Sequence, residues 1–328
     1  MNDWRPSASR ETLERRAQLL ALTRRFFAHR RVLEVDTPAV VNAPVTDVHI
    51  HSAQVDLGYE VRTLSEPIPR PFFLHTSPEY AMKRLLAAGS GDIFQICHVV
   101  RCHERGPLHN NEFTLVEWYR IGFSLDRLMA EVEELVRELL GGADRGLRGE
   151  RVTYREAFLR HLQLDPFAAT VEQLEAAAES LVYRNRGAAT RDLLLDFLMA
   201  TRVGPQLGGN ALTFVHGYPA SQAALARLDP DDPRAALRFE LYSEGVELAN
   251  GFHELASAAE QRARFEGDLA ERQRCGSPSY PLDERLLAAL EAGLPDCCGV
   301  ALGFDRVVML ATGAESIDAV LPFPTERA

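Results

Sequence analysis

The sequence predicts an α+β fold, an antiparallel β-sheet with helices packed around it. Two observations predict the sheet. Residues 92–121 read as strand, polar loop and strand: DIFQICHVVRC, HERGPLHNN and EFTLVEWYRIGF. Further on, TFVHGYP, ALRFELY and VELANGF return to strand chemistry, with Ser243-Glu244-Gly245 as a turn. A third observation predicts the helices, which are stretches with apolar residues at helical spacing on either side of these segments.

In chain order, residues 10–31 carry Leu13, Leu19, Leu20, Leu22, Phe26 and Phe27 at near-helical spacing, with basic residues between them. A short strand VLEV follows and Pro38 closes it. PFFLH (71–75) reads as a strand, and Ser77-Pro78-Glu79 opens a helix with Ser77 as N-cap and Pro78 at the first helical position. After the 92–121 hairpin, residues 124–205 are mostly helical by pattern (SLDRLMAEVEELVRELL, VEQLEAAAESL, TRDLLLDFLMA). Helices over 258–274 and 282–292 precede GVALGFDRVVMLATG, a strand turning into a helix.

The 328 residues suffice for one large domain or a core with an inserted segment. Apolar residues make up 46% and charged residues 25%, the balance of a chain that can bury a core. Against 36 Lys and Arg stand 47 Asp and Glu, a net charge of −11. Phosphate neutralisation needs clustered Lys and Arg, so such a chain is a poor candidate for sequence-independent nucleic-acid binding. Five cysteines, odd in number and without a CxxC pair, indicate neither a disulfide framework nor a zinc knuckle. Histidines 49, 51, 75, 98, 103 and 109 fit no common zinc spacing. The start has no apolar segment of a secretory signal, and no run of about 18 apolar residues exists. A cytoplasmic protein without a membrane partner is expected.

Familiar nucleotide signatures are missing: no P-loop GxxxxGK, no strand-linked GxGxxG and no kinase HRD and DFG pair occur. Three other segments carry chemistry. As a strand, EFTLVEWYR puts Phe113, Leu115, Glu117 and Tyr119 on one face. Alone that is a half-buried amphipathic strand, but a glutamate between aromatic residues on the more apolar face needs a partner, and a cationic ligand would be one. In NGFHEL, Asn250, Phe252 and Glu254 alternate onto one face, and Glu240 and Glu247 lie on opposite arms of the hairpin around 243–245. Two facing carboxylates are either a surface accident or hard-oxygen ligands for Mg²⁺. In GVALGFDRVVML, glycines let backbone approach a ligand and the helix start faces anions, with Asp305 as a capping candidate. Arg306 stands in the first turn, where the helix dipole disfavours a cation and an anionic or stacked ligand would explain it.

In this order, the three pieces resemble the signature motifs of class II aminoacyl-tRNA synthetases. The first helix with VLEVDTP resembles the first motif, which builds a dimer interface; VVRC with HNNEFTLVEWY resembles the second and GVALGFDRVVML the third. The lysyl branch is closer still, through Arg101 and Glu104, HNNEFTLVEWY, Glu240 and Glu247, NGFHEL and GVALGFDR. The likeness runs from about residue 10 to the end. About ten residues precede the first motif, too few for the OB-fold that reads anticodons, so the architecture resembles the truncated lysyl-tRNA-synthetase paralogs that modify elongation factor P. TSPEYAMKRLL, ANGFHEL and PDCCGVALG carry that part of the likeness. A single catalytic domain over 1–328 is expected, with the helical segment at about 124–205.

The resemblance implies ATP and Mg²⁺, a lysine or (R)-β-lysine substrate, elongation factor P as acceptor and a homodimer, with tRNA not expected as a partner. Arg101 and Arg306 would be catalytic, Arg101 clamping the α-phosphate and the amino-acid carboxylate. Phe113 would stack on adenine and Arg306 on its other face, with Asn110, Leu248 and Gly303 also lining the nucleotide. Glu240 and Glu247 would hold Mg²⁺, and Glu247 would lie against the ATP. Glu79, with Ser77, would bind the nearer amine of the substrate. Glu117, Tyr119, Asn250, Phe252 and Glu254 would hold the far ammonium. Ala301, where synthetases more usually have glycine, would reshape the pocket. His103 stands where the family has a glutamate near the adenine amino group; neutral His103 or neighbouring Glu104 would take that contact. A minimal lysyl-tRNA ligase and a catalytically silent regulatory paralog are the alternatives.

Overall fold

The computed structural model of the chain describes residues 4–57, 71–141, 147–178 and 190–328. The chain divides into two compact units. One comprises residues 1–122, 255–297 and 301–328, the other 123–254 and 298–300.

The first unit opens with α1 (Arg10–His29), whose N-cap Ser9 accepts a hydrogen bond from the Thr12 N–H. Helix α1 buries Leu19, Phe26 and Phe27; the Phe27 ring stacks on Phe94 at 4.4 Å and meets Trp118 edge-on at 5.2 Å. Strand β1 (Leu33–Glu34) follows, then a small sheet in which β2 (Val40–Val41) and β3 (Gln54–Val55) both pair antiparallel with β4 (Phe72–Leu74). Helix α2 (Glu79–Ala87) starts one residue later than the sequence predicts. Pro78 takes the cap position, and the Ser77 hydroxyl still accepts from the Glu79 N–H at 3.0 Å. Strands β5 (Ile93–Val100) and β6 (Glu112–Ile121) form the expected hairpin, with Gln95 opposite Glu117 and Val99 opposite Phe113. Strand β1 joins β5 in parallel, so the sheet is mixed at this edge.

The second unit begins with α3 (Leu125–Leu139), capped by Ser124 and burying Leu128, Val132, Leu135 and Leu139. Within the segment read as helical lies a strand, β7 (Gly149–Thr153), parallel to a later one. Its residues GERVT are mostly polar, so neither alternation nor helical spacing marks it. Helices α4 (Tyr154–Leu162), α5 (Val171–Ala178) and α6 (Arg191–Leu198) follow. Thr153 and Glu156 close a full capping box on α4. The predicted continuation of α5 through 181 lies outside the described residues. Strands β8 (Leu212–Pro219), β9 (Ala235–Ser243) and β10 (Val246–His253) are antiparallel neighbours, and β7 lies parallel on β8. Glu244 and Gly245 both have left-handed φ (52° and 76°), the two-residue turn that suits the twist of a hairpin.

Residues 255–297 and 301–328 belong to the first unit, where α7 (Ala258–Arg274) and α8 (Glu284–Gly293) lie. Strand β11 (Cys297–Gly303) leads directly into α9 (Phe304–Thr312), the expected strand-to-helix turn. Among the described residues no helix is long and apolar enough to cross a membrane.

Candidate active site

In the first unit, β6 carries different work on its two faces. Phe113, Glu117 and Tyr119 share the face that the sequence marks as chemical, while Thr114 and Trp118 share the other. Glu117 is 2% exposed and accepts hydrogen bonds at 2.8 Å from the Ser77 hydroxyl on one oxygen and the Tyr119 hydroxyl on the other. Sequence reasoning set Glu117 with Tyr119 and Ser77 with Glu79; the structure joins Ser77, Glu117 and Tyr119 by hydrogen bonds. Ser77 and Glu79 also line a small pocket with Val41, Ala43, Pro44 and Val45. Glu79 is not left to a ligand alone: the Lys83 ammonium, 1% exposed and one helical turn on, donates to it at 2.7 Å. Lys83 was missed because a lysine in a helix reads as solvent-facing, although its spacing of four from Glu79 was a usable signal.

Arg101 follows β5, and its Nε donates to the Thr76 carbonyl at 3.2 Å. Its guanidinium lies 5.2 Å from the Phe113 ring centre and 3.9 Å from the Glu104 carboxylate. His103 has a left-handed φ of 66°, and its ring meets His51 edge-on at 5.3 Å. Arg306, in the first turn of α9, donates to the Leu108 carbonyl at 3.3 Å and to Nε2 of His109 at 2.7 Å. Burial, with the charges of Arg306 and Arg101 added, pushes His109 down to about 4. A neutral imidazole accepting from an arginine thus belongs to this cluster, and sequence reasoning gave His109 no role.

One expectation changes. Asp305 does not cap α9: Gly303 is the N-cap residue and no side chain caps the helix. Instead Asp305, 1% exposed, takes the Thr114 N–H at 2.7 Å and an ion pair from Arg16 of α1. Its second position in the helix turns the carboxylate away from the cap and toward β6. Asn110, 3% exposed, is occupied within the chain: its NH₂ donates to the Glu112 carbonyl at 2.8 Å, and its oxygen accepts from the Thr325 N–H and hydroxyl at 3.1 and 3.0 Å. Arg105 extends this clasp, pairing with Glu326 at 2.6 Å and Asp318 at 2.8 Å, while the Ile317 N–H donates to the Pro107 carbonyl. The loop between β5 and β6 is therefore stitched to the last residues of the chain.

In the second unit, the β9–β10 hairpin sets Glu240 opposite Asn250 and Glu247 opposite Tyr242, with a bulge at Glu247 to Ala249. Glu240 is buried; one oxygen accepts from the Tyr218 and Tyr242 hydroxyls, both at 2.6 Å, and the other from Arg238. Arg238 also donates to the Asn250 side-chain oxygen at 3.1 Å and lies over the Tyr218 ring. Burial pushes the Glu240 carboxyl up, Arg238 opposes this, and the Glu247 charge pushes further in the same direction as burial. The charge of Glu247, on the opposite arm of the hairpin, is thus felt at Glu240. Sequence reasoning missed Arg238, although it stands two residues before Glu240 on the same strand face. Leu248 is buried in the bulge, and Phe252 packs on Ala223, Ala226 and Ala236. Glu254 is 1% exposed, and its carbonyl accepts from Arg227. Ala301 and Gly303, on the closing strand before α9, are both half-buried.

A family model described as tRNA synthetases class II (D, K and N) matches residues 1–327. A protein of Klebsiella pneumoniae subsp. pneumoniae and one of Salmonella typhi are each 48% identical over 99% of this chain and 98% of their own length; both are named elongation factor P--(R)-beta-lysine ligase. A protein of Edwardsiella ictaluri with the same name is 47% identical over 100% of this chain and 99% of its own.

Proposed function

The chain belongs to the class II tRNA synthetase (D, K and N) family, and from that premise we propose that it joins (R)-β-lysine, or lysine, to a lysine side chain of elongation factor P with ATP. The observation that carries the reading is the buried Glu117, oriented by Ser77 and Tyr119, in a chain 48% identical to ligases of that name. Two hydroxyl donors fix the direction in which the Glu117 carboxylate points, as recognition of an ammonium requires, and Glu79 offers a second acid near the same helix start.

In the first step a substrate carboxylate oxygen attacks the α-phosphorus; the new O–P bond forms as the bond to the β-phosphate bridging oxygen breaks and pyrophosphate leaves. Arg101 stabilises the charge on the transferring phosphoryl group. Phe113 and Arg306 hold adenine between them, with the imidazole of His109 steadying Arg306. In the second step an acceptor amine attacks the acyl carbon, AMP leaves with the acyl oxygen, and the amine proton passes to solvent. Neither step requires a covalent enzyme intermediate.

The residues fit a divalent cation. Glu240 and Glu247 form a two-carboxylate donor set whose mutual repulsion a hard cation would relieve. Both would hold Mg²⁺, Glu247 with the larger share because Glu240 already accepts three hydrogen bonds. The ion would supply charge neutralisation on the triphosphate. Asn250, Phe252, Glu254 and Ala301 belong to the amino-acid side of this reading, and His103, Glu104, Asn110, Leu248 and Gly303 to the nucleotide side. The protein acts in the cytoplasm as a homodimer; Leu33, 55% exposed on β1, supports an apolar contact there.

The test is amino-acid-dependent ATP–pyrophosphate exchange with α-lysine and (R)-β-lysine, followed by transfer to elongation factor P or to tRNA. Exchange favouring (R)-β-lysine, with label on the protein factor, is expected. Label on tRNA would make the enzyme a minimal lysyl-tRNA ligase, and no exchange with either isomer would leave a regulatory paralog.

A further inference from the structure

We infer that Arg16 is a positioning residue for the adenine site, an inference that rests on the nucleotide reading of Phe113 and Arg306. Arg16 stands on α1, on the side of β6 away from Phe113. From there one guanidinium makes three contacts: an ion pair with Asp305, a hydrogen bond at 2.7 Å to the Thr114 hydroxyl, and a cation–π contact at 5.2 Å with Phe304. Asp305 in turn takes the Thr114 N–H at 2.7 Å.

The residues so joined are the chain neighbours of the two groups assigned to adenine. Thr114 follows Phe113 on β6, and Asp305 precedes Arg306 on α9. The Thr114–Asp305 hydrogen bond fixes how far the strand stands from the helix start, and with it the gap between an aromatic ring and a guanidinium. A base held between two faces needs that gap set to a fraction of an ångström, because dispersion falls off steeply with separation. Neither Phe113 nor Arg306 sets the gap alone. Asp305 is 1% exposed, so the carboxylate requires a cation, and Arg16 reaches both it and Thr114. The planar fork of an arginine suits two acceptors held side by side in a way that a lysine ammonium does not.

The measurement is calorimetric binding of ATP, adenosine and inorganic tripolyphosphate to the full chain, for Arg16→Met, Arg16→Lys and Thr114→Val beside the wild type. Arg16→Met is expected to weaken ATP and adenosine about tenfold while tripolyphosphate stays within about twofold, because only the base contact is loosened. Arg16→Lys restores part of the loss. Thr114→Val, which keeps the backbone N–H to Asp305, moves in the same direction by less, and it carries the test if Arg16→Met does not fold. Unchanged ATP binding overturns the inference, and so does equal weakening of ATP and tripolyphosphate, which would make Arg16 a general support of the fold. Pyrophosphate exchange by the wild type is read separately. Its absence would count against the adenylating reaction, whereas exchange with normal adenosine binding in Arg16→Met would count against Arg16 alone.

Discussion

At Glu117, the Ser77 and Tyr119 hydroxyls each donate to one oxygen at 2.8 Å, which orients the carboxylate. Glu117→Gln keeps the shape and removes the charge. It is expected to raise the KM for the lysine-type substrate about tenfold to a hundredfold while the KM for ATP holds, as read by pyrophosphate exchange. His109 makes a pH prediction. The unfolded chain binds a proton there near 6.5, the folded chain only near 4, so between those values unfolding takes up a proton. This share of the stability is therefore whole above the upper value and is lost as pH falls toward the lower one. Melting temperatures compared at about pH 7 and about pH 5 should drop less for His109→Gln than for the wild type. At this scale the sequence was legible wherever a residue type was odd for its place: Glu117 amid aromatic neighbours, Arg306 at the wrong end of a helix dipole. Lys83, Arg238 and Asp305 were not, because each is defined by a partner that folding brings to it.

Turn chemistry made the β9–β10 hairpin readable, since Ser-Glu-Gly between two apolar strands allows few geometries. What clasps that turn was not readable. The Glu244 N–H donates to the Gly208 carbonyl at 2.7 Å and the Gly245 N–H to that of Leu207 at 2.8 Å. Gly208 has a φ of 73°, and a Cβ there would lie 2.5 Å from Ser243 Cα and 2.7 Å from the Tyr242 carbonyl oxygen. Gly208→Ala is thus expected to cost about 2 kcal/mol or more, measured by denaturant unfolding, since the turn must move away or the backbone must adopt a strained angle. The hairpin bearing Glu240 and Glu247 would shift with it. Strand β7 escaped for a related reason: its parallel partner β8 begins some sixty residues later, and nothing in GERVT announces that pairing. The first helix and the two hairpins, whose periodicity and turns are local, fell within a residue or two of where they were read.

Across the whole molecule the charge of −11 sets what the surface attracts. Counterion release gives a polyanion little reason to bind an acidic protein, so filter retention of tRNA at about 0.15 M salt is expected to be absent. Retention at low micromolar protein would overturn that and favour the tRNA ligase. The loop that carries Arg101 toward Phe113 has a different dependence, on the far end of the same chain. Thr325 holds Asn110, and Glu326 holds Arg105. In genetic terms, a stop codon or frameshift at codon 325 would look remote from that loop. It would nevertheless phenocopy a lesion in the β5–β6 loop more than two hundred residues upstream.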